Sequence, residues 1–114
     1  MQPDEIRLTK SRDTLILTYE GVSHSLSAEF LRVHSPSAEV QGHWPGEAIL
    51  QTGKKHVQIV GIEPVGQYAL KIVFDDGHDS GLYTWNYLSH LALEQDQLWQ
   101  SYLEKLEENQ ASRE

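Results

Sequence analysis

The chain has 114 residues, an ordinary apolar fraction and a formal net charge of −8, with 17 acidic residues against nine Lys and Arg. That size fits one domain, and the charge argues against general affinity for nucleic acid or an anionic membrane surface. Cysteine is absent, which excludes disulfides, thiolate nucleophiles and Cys-ligated metal or iron–sulfur sites built from this chain alone.

The start, Met1-Gln2-Pro3-Asp4-Glu5, is acidic and polar, unlike a signal peptide. No apolar stretch approaches the length of a membrane span, so a cytoplasmic location is expected. Ile6 and Leu8 alternate with polar neighbours, Ser11-Arg12-Asp13 turns the chain, and Leu15, Leu17 and Tyr19 resume the alternation. Glu20-Gly21 is a second turn, and Val22, His24 and Leu26 form a third short run of period two. The pattern is a β-meander. Ser27 is placed to cap a short helix over Ala28–Val33, which Pro36 ends by restricting Ser35.

From Pro36 to Lys55 the periodicity is poor, and Gly42, Pro45, Gly46 and Gly53 punctuate it. This reads as a surface loop with a short strand near Ala48-Ile49-Leu50. Val57–Ile62 is a β-branched strand, Glu63–Gln67 a turn, and Tyr68–Phe74 the next strand. Tyr68, Leu70, Ile72 and Phe74 share one face of it. Asp76-Gly77 turns again. After Thr84 the period becomes helical, and Leu88, Leu91, Ala92, Gln95, Leu98, Trp99, Tyr102, Leu103 and Leu106 form one apolar stripe. The expected fold is α+β: a mostly antiparallel sheet, a short helix after the third strand, and a C-terminal helix packed on one face. One domain spans 1–108, and the polar tail 109–114 is expected to fray.

Candidate chemistry concentrates in the run Phe74–Leu88. Asp76, His78 and Asp79 resemble an acid/base set, since a carboxylate can orient an imidazole and raise its basicity. Neighbours in a turn rarely meet productively, however, and the turn reading is preferred. Of six histidines, His24 lies on the apolar alternation of its strand, while His56 and His90 read as surface positions. His34 and His43 flank the Pro36 loop and could join His78 around a metal; no pair has the helical i, i+4 spacing of a zinc protease. Trp44 stands in a Gly- and Pro-rich loop, either plugging the core or exposed to a partner. Tyr83, Trp85 and Tyr87 either form a docking surface or wedge a helix against the sheet.

Three segments carry a resemblance: Leu31–Val40, with its Leu31-Arg32 pair; Ile62–Leu70; and Phe74–Leu88. Together they resemble the gamma-butyrobetaine hydroxylase-like N-terminal domain over about Ile6 to Leu91. This family includes small bacterial proteins of unknown function. The same domain precedes the oxygenase domain of gamma-butyrobetaine and trimethyllysine hydroxylases, and is found attached to iron–sulfur carrier ATPases of the Mrp type. In the hydroxylases the resemblance implies a zinc module, with three cysteines after the Leu-Arg pair and a histidine from a later acidic turn. The matching positions here are Ser35, Ser37 and Val40, and His78 alone matches a ligand, so neither zinc nor another cofactor is expected. The oxygenase activity belongs to a following domain and does not carry over.

Three functions follow, in order. The first is a non-catalytic accessory or protein-interaction module, linked to iron–sulfur cluster handling, docking through Trp44, His78, Tyr83 and Trp85. The second is a metal-binding domain with a substituted site around His78. The third is a small enzyme using Asp76, His78 and Asp79. The expected partner is another protein, with no nucleic acid and no membrane; exposed strand edges permit self-pairing without specifying it. A polar contact among Ser35, Ser37 and His78 could staple the chain where the metal is missing.

Overall fold

The alternation at the start of the chain forms a meander. A computed structural model describes residues 2–44 and 46–114. In it β1 (Glu5–Leu8), β2 (Thr14–Tyr19) and β3 (Val22–Ser27) make one antiparallel sheet. Leu15 pairs with Leu26 and Leu17 with His24, and Leu15, Leu17 and Leu26 are fully buried. The β2–β3 hairpin closes through Glu20 and Gly21 with φ of 47° and 84°. Two left-handed residues in a two-residue loop match the right-handed twist of the strands they join.

α1 (Ala28–Val33) starts where Ser27 predicts, its hydroxyl accepting from the Phe30 amide at 3.0 Å. All six helical residues are buried, Glu29 and Arg32 included. The Pro36–Lys55 stretch departs from expectation: among the described residues no strand forms at 48–50. Instead Ser37 caps a second helix, α2 (Ala38–Gln41), and Gly42 follows at φ 76°. Four helical residues are too few to leave a period in the sequence.

The second sheet is ordered β4 (Ile59–Val65), β5 (Ala69–Phe74), β6 (Leu82–Thr84), all antiparallel. β4 continues through Glu63-Pro64, read above as a turn. It can do so because it is an edge strand, where proline's missing donor costs no ladder bond. The turn falls later, around Gly66, and Tyr68 lies in it, 70 % exposed, rather than on the inner face with Leu70, Ile72 and Phe74. The strands thus form two sheets rather than one. They join where the Ile59 amide donates to Arg12 O (2.7 Å) and Gln58 Nε2 to Ser11 O (2.9 Å).

The helical stripe breaks once. α3 (Trp85–Leu93) is capped by Thr84, whose hydroxyl accepts from the Tyr87 amide, and α4 (Gln95–Glu108) follows after Glu94. Leu88, Leu91 and Ala92 enter the core between the sheets, whereas Tyr102 and Leu106 pack with Val33 in a smaller cluster. Segment 109–114, expected to fray, is held. Gly53 and Lys55 amides donate to Ser112 O and Arg113 O, both at 3.0 Å, and Arg113 makes two bonds to the buried Glu29. A polar sequence hid this because its partner is a charge buried far away in the chain. No described helix is long and apolar enough to cross a membrane.

Leu17→Ala removes a fully buried side chain and is expected to cost about 2–5 kcal/mol. Ser27→Ala, which removes only a cap, is expected to cost about 1 kcal/mol. Chemical denaturation of the two variants checks both values and their order.

Candidate functional site

The β5–β6 turn sets the site. Phe74 and Gly77 close it through backbone bonds (Phe74 N–H to His78 O, 3.0 Å; Gly77 N–H to Phe74 O, 3.1 Å), with Gly77 at φ 89°. Asp76 Oδ1 accepts the His78 amide at 3.1 Å, which fixes the acid as part of the turn. Its Oδ2 faces across the fold and takes Arg32 Nε at 2.9 Å and Lys54 Nζ at 2.7 Å. Arg32 Nη1 also donates to Gln51 Oε1 at 2.9 Å. Partial burial alone would raise the Asp76 pKa; the Lys54 bond, the His78 amide and Arg32 outweigh it and hold it at about 2.

His78 turns inward and is 7 % exposed. Its Nδ1 lies 3.2 Å from Glu39 Oε2 and its Nε2 2.8 Å from Ser35 Oγ. A carboxylate only accepts, so Nδ1–H donates to Glu39 and Nε2 accepts from the Ser35 hydroxyl. Burial, then Arg32, push the His78 pKa down, against the pull of Glu39 and Asp76. Ser35 is fully buried and its Oγ also accepts the Ser37 amide at 3.2 Å. Ser37 Oγ caps α2 through Glu39 N and meets Ser80 Oγ at 2.7 Å.

Ser35, His78 and Glu39 have the connectivity of a nucleophilic triad. Their surroundings do not. A methyl group at Gly81 would collide with Ser35 Oγ, and Pro36 lies against the same spot. The Ser35 hydroxyl is thus enclosed by its neighbours, with no exposure to solvent. The Glu39 side chain is 70 % exposed, so the ring's orienting partner is the least fixed of the three.

The acid/base set is taken apart: Asp76 faces Arg32 and Lys54, His78 faces Ser35, and Asp79 lies on the surface 3.7 Å from Lys71. His34 does not join His78. Its Nδ1 donates to Phe30 O at 2.8 Å, its ring packs on Phe30, and burial lowers its pKa. His43 is exposed. Among the described residues no three His, Asp or Glu side chains converge to hold a metal ion. The zinc implied by the resemblance does not fit these residues: Val40 is buried and apolar, Ser35 Oγ and the inward nitrogen of His78 bond each other, and Ser37 Oγ is spent on Ser80 Oγ and the Glu39 amide.

Tyr83 and Trp85 are wedges rather than a docking surface. Tyr83 is fully buried, its hydroxyl donating to Leu31 O at 2.5 Å, and Trp85 Nε1 donates to Gln67 O at 2.8 Å. Tyr87 donates to His34 O at 2.6 Å. Trp44, in contrast, is 70 % exposed. Sequence reasoning missed the parts played by Arg32, Glu39 and Lys54. Arg32 left a signal, a cation between Leu31 and Val33 in a short helix rich in apolar residues; Glu39 and Lys54 left none.

The sequence pattern of the family described as gamma-butyrobetaine hydroxylase-like, N-terminal, matches residues 6–89. The chain belongs to that family. A protein structure solved by solution NMR is 58 % identical, covers 99 % of this chain and 90 % of its own, and superimposes with a TM-score of 0.88. A second NMR structure is 48 % identical, covers 98 % and 84 %, and has a TM-score of 0.81. A crystal structure of a protein of unknown function from Acidithiobacillus ferrooxidans, assigned to the DUF971 family, is 37 % identical over 80 % of this chain and 92 % of its own, with a TM-score of 0.66. No curated protein matches the chain.

Asp76 supplies a pH test. Its folded pKa lies below its ordinary value of 3.8, so it adds stability above that value. That stability is lost as pH falls from about 4 through about 2. Asp76→Asn is expected to be less stable than the parent at neutral pH, with the difference shrinking across that window. Urea midpoints measured from pH 7 to pH 2 check the sign.

Proposed function

We propose that this gamma-butyrobetaine hydroxylase-like domain is a non-catalytic interaction module of the cytoplasm that docks another protein through the Trp44 loop. The observation that carries the reading is exposure. Trp44 at 70 % and Ile49 at 59 % leave two large apolar side chains on one loop facing water. Such aromatics are typical anchors of protein interfaces. The groups that could do chemistry are instead committed: Ser35 and His78 to each other, Asp76 to Arg32 and Lys54. The net charge of −8 favours a partner with a basic docking face. The link to iron–sulfur handling rests on the resemblance to domains attached to carrier ATPases, and makes such a carrier the first partner to try.

Trp44→Ala changes a surface residue and should leave stability within about 0.5 kcal/mol of the parent. It should weaken binding to a partner isolated with the wild-type chain by at least about tenfold, the scale of an aromatic anchor. Calorimetry with that purified partner reads the change; equal affinity for both forms removes the proposal.

Metal content tests the competing reading. Protein purified without a His tag should hold zinc well below stoichiometric amounts by elemental analysis, because the donors around His78 are already paired. A stoichiometric metal that resists a chelator, and that His78→Gln removes, would favour the metal-binding alternative.

A further inference from the structure

Glu29 is a carboxylate that the fold buries to 5 % exposure on a helix otherwise made for the core. A buried charge without a partner is strongly unfavourable. Its partner comes from segment 109–114: Arg113 Nε and Nη2 reach the two carboxylate oxygens at 2.8 and 2.7 Å. The guanidinium also lies 5.3 Å from the centre of the Trp99 ring, within cation–π range. A paired fork and an aromatic face together recognise a guanidinium, and an ammonium cannot reproduce both.

The surroundings leave room for exchange. A cleft of about 430 Å³ opens at this point, with Asp13 and Asp96 among its lining. Besides Arg113, the segment is held by backbone bonds from Gly53 and Lys55, by the Ala111 amide on Leu106 O with Ala111 packed beside Tyr102 and Leu106, and by exposed pairs of Glu114 with Lys55 and His56. Exposed pairs contribute little. The cation that Glu29 takes in the folded chain comes from a terminal segment rather than from the core.

We infer that Glu29 and Trp99 form a guanidinium-binding site, that Arg113 is its occupant in cis, and that an arginine-bearing segment of a partner protein exchanges with it. The site shares no residue with the His78 cluster. It deepens the interaction-module reading and rests on that reading for its partner.

The test titrates N-acetyl-arginine amide, with N-acetyl-lysine amide as comparison, into Arg113→Ala and wild-type protein, followed by NMR of the backbone amides and of the Trp99 indole N–H. Arg113→Ala should bind the arginine probe saturably, and the lysine probe at least about tenfold more weakly. Wild type should bind the arginine probe at least about tenfold more weakly than the variant, because a tethered competitor acts at roughly millimolar effective concentration. Adding Glu29→Gln to the variant should abolish binding. A variant with a cooperative melt that binds neither probe, or both alike, overturns the inference. Should Arg113→Ala not fold, the wild-type titration decides alone: arginine at roughly tens of millimolar must release the Gly53 and Lys55 amides, and their persistence overturns the inference. No partner protein enters this experiment, so its failure leaves the Trp44 proposal standing, while failure of the Trp44 proposal leaves the guanidinium site and removes only the partner assigned to it.

Discussion

The structure depends on one constraint: the corner between α1 and α2 carries polar groups into the interior, and the β5–β6 turn is what satisfies them. Arg32 is 9 % exposed at its side chain, and Ser35 is fully buried. An unpaired buried charge costs about 3–5 kcal/mol and an unpaired buried polar group about 1–3. Asp76 meets the first and His78 the second, from positions two residues apart in one turn. Tyr83, on the strand after that turn, donates to Leu31 O in the same corner. Sheet, turn and helices therefore dock in a single register, since any other leaves a charge or hydroxyl unpaired in the core.

This gives the run from Phe74 to Leu88, which lies within the family match, a structural task. Its acids, histidine and glycines are what a tight turn needs when it must also reach across the fold. Gly81 is small because Ser35 Oγ occupies the space a side chain would take. Ser35, Ser37 and Val40 stand where the related hydroxylases are expected to carry cysteines, and the same corner here is closed by hydrogen bonds. The staple foreseen among Ser35, Ser37 and His78 takes a particular form: Ser35 bonds His78 directly, while Ser37 bonds Ser80.

Much of the fold was legible because its signals are local. Ser27 and its apolar run specify α1, the alternation of Leu15, Leu17 and Leu26 specifies the first sheet, and the stripe from Leu88 to Leu106 specifies the last helices. What was missed depended on distant partners or on short elements. β6 has three residues and α2 four, too few to show a period. The break at Glu94 leaves the apolar stripe almost in phase, so the pattern reads through it. Pro64 suggested a turn because edge position is a property of the sheet, not of the strand. In the site, His78 stands out in the sequence, but it is buried rather than offered to a partner, and its contact with Glu39 and the role of Arg32 arise only when the chain folds back on itself. The segment 109–114 is the clearest case: nothing near Arg113 in sequence announces Glu29.

The central claim is that Ser35 and His78 act as one structural unit. A double-mutant cycle of Ser35→Ala and His78→Gln, read as unfolding free energies at pH 7.5, tests it most directly. The account predicts that the single changes are each destabilising and that their effects are non-additive by about 1 kcal/mol or more, as expected for directly bonded buried groups. Additivity within about 0.3–0.5 kcal/mol, with His78→Gln folding as stably as the parent, would contradict it.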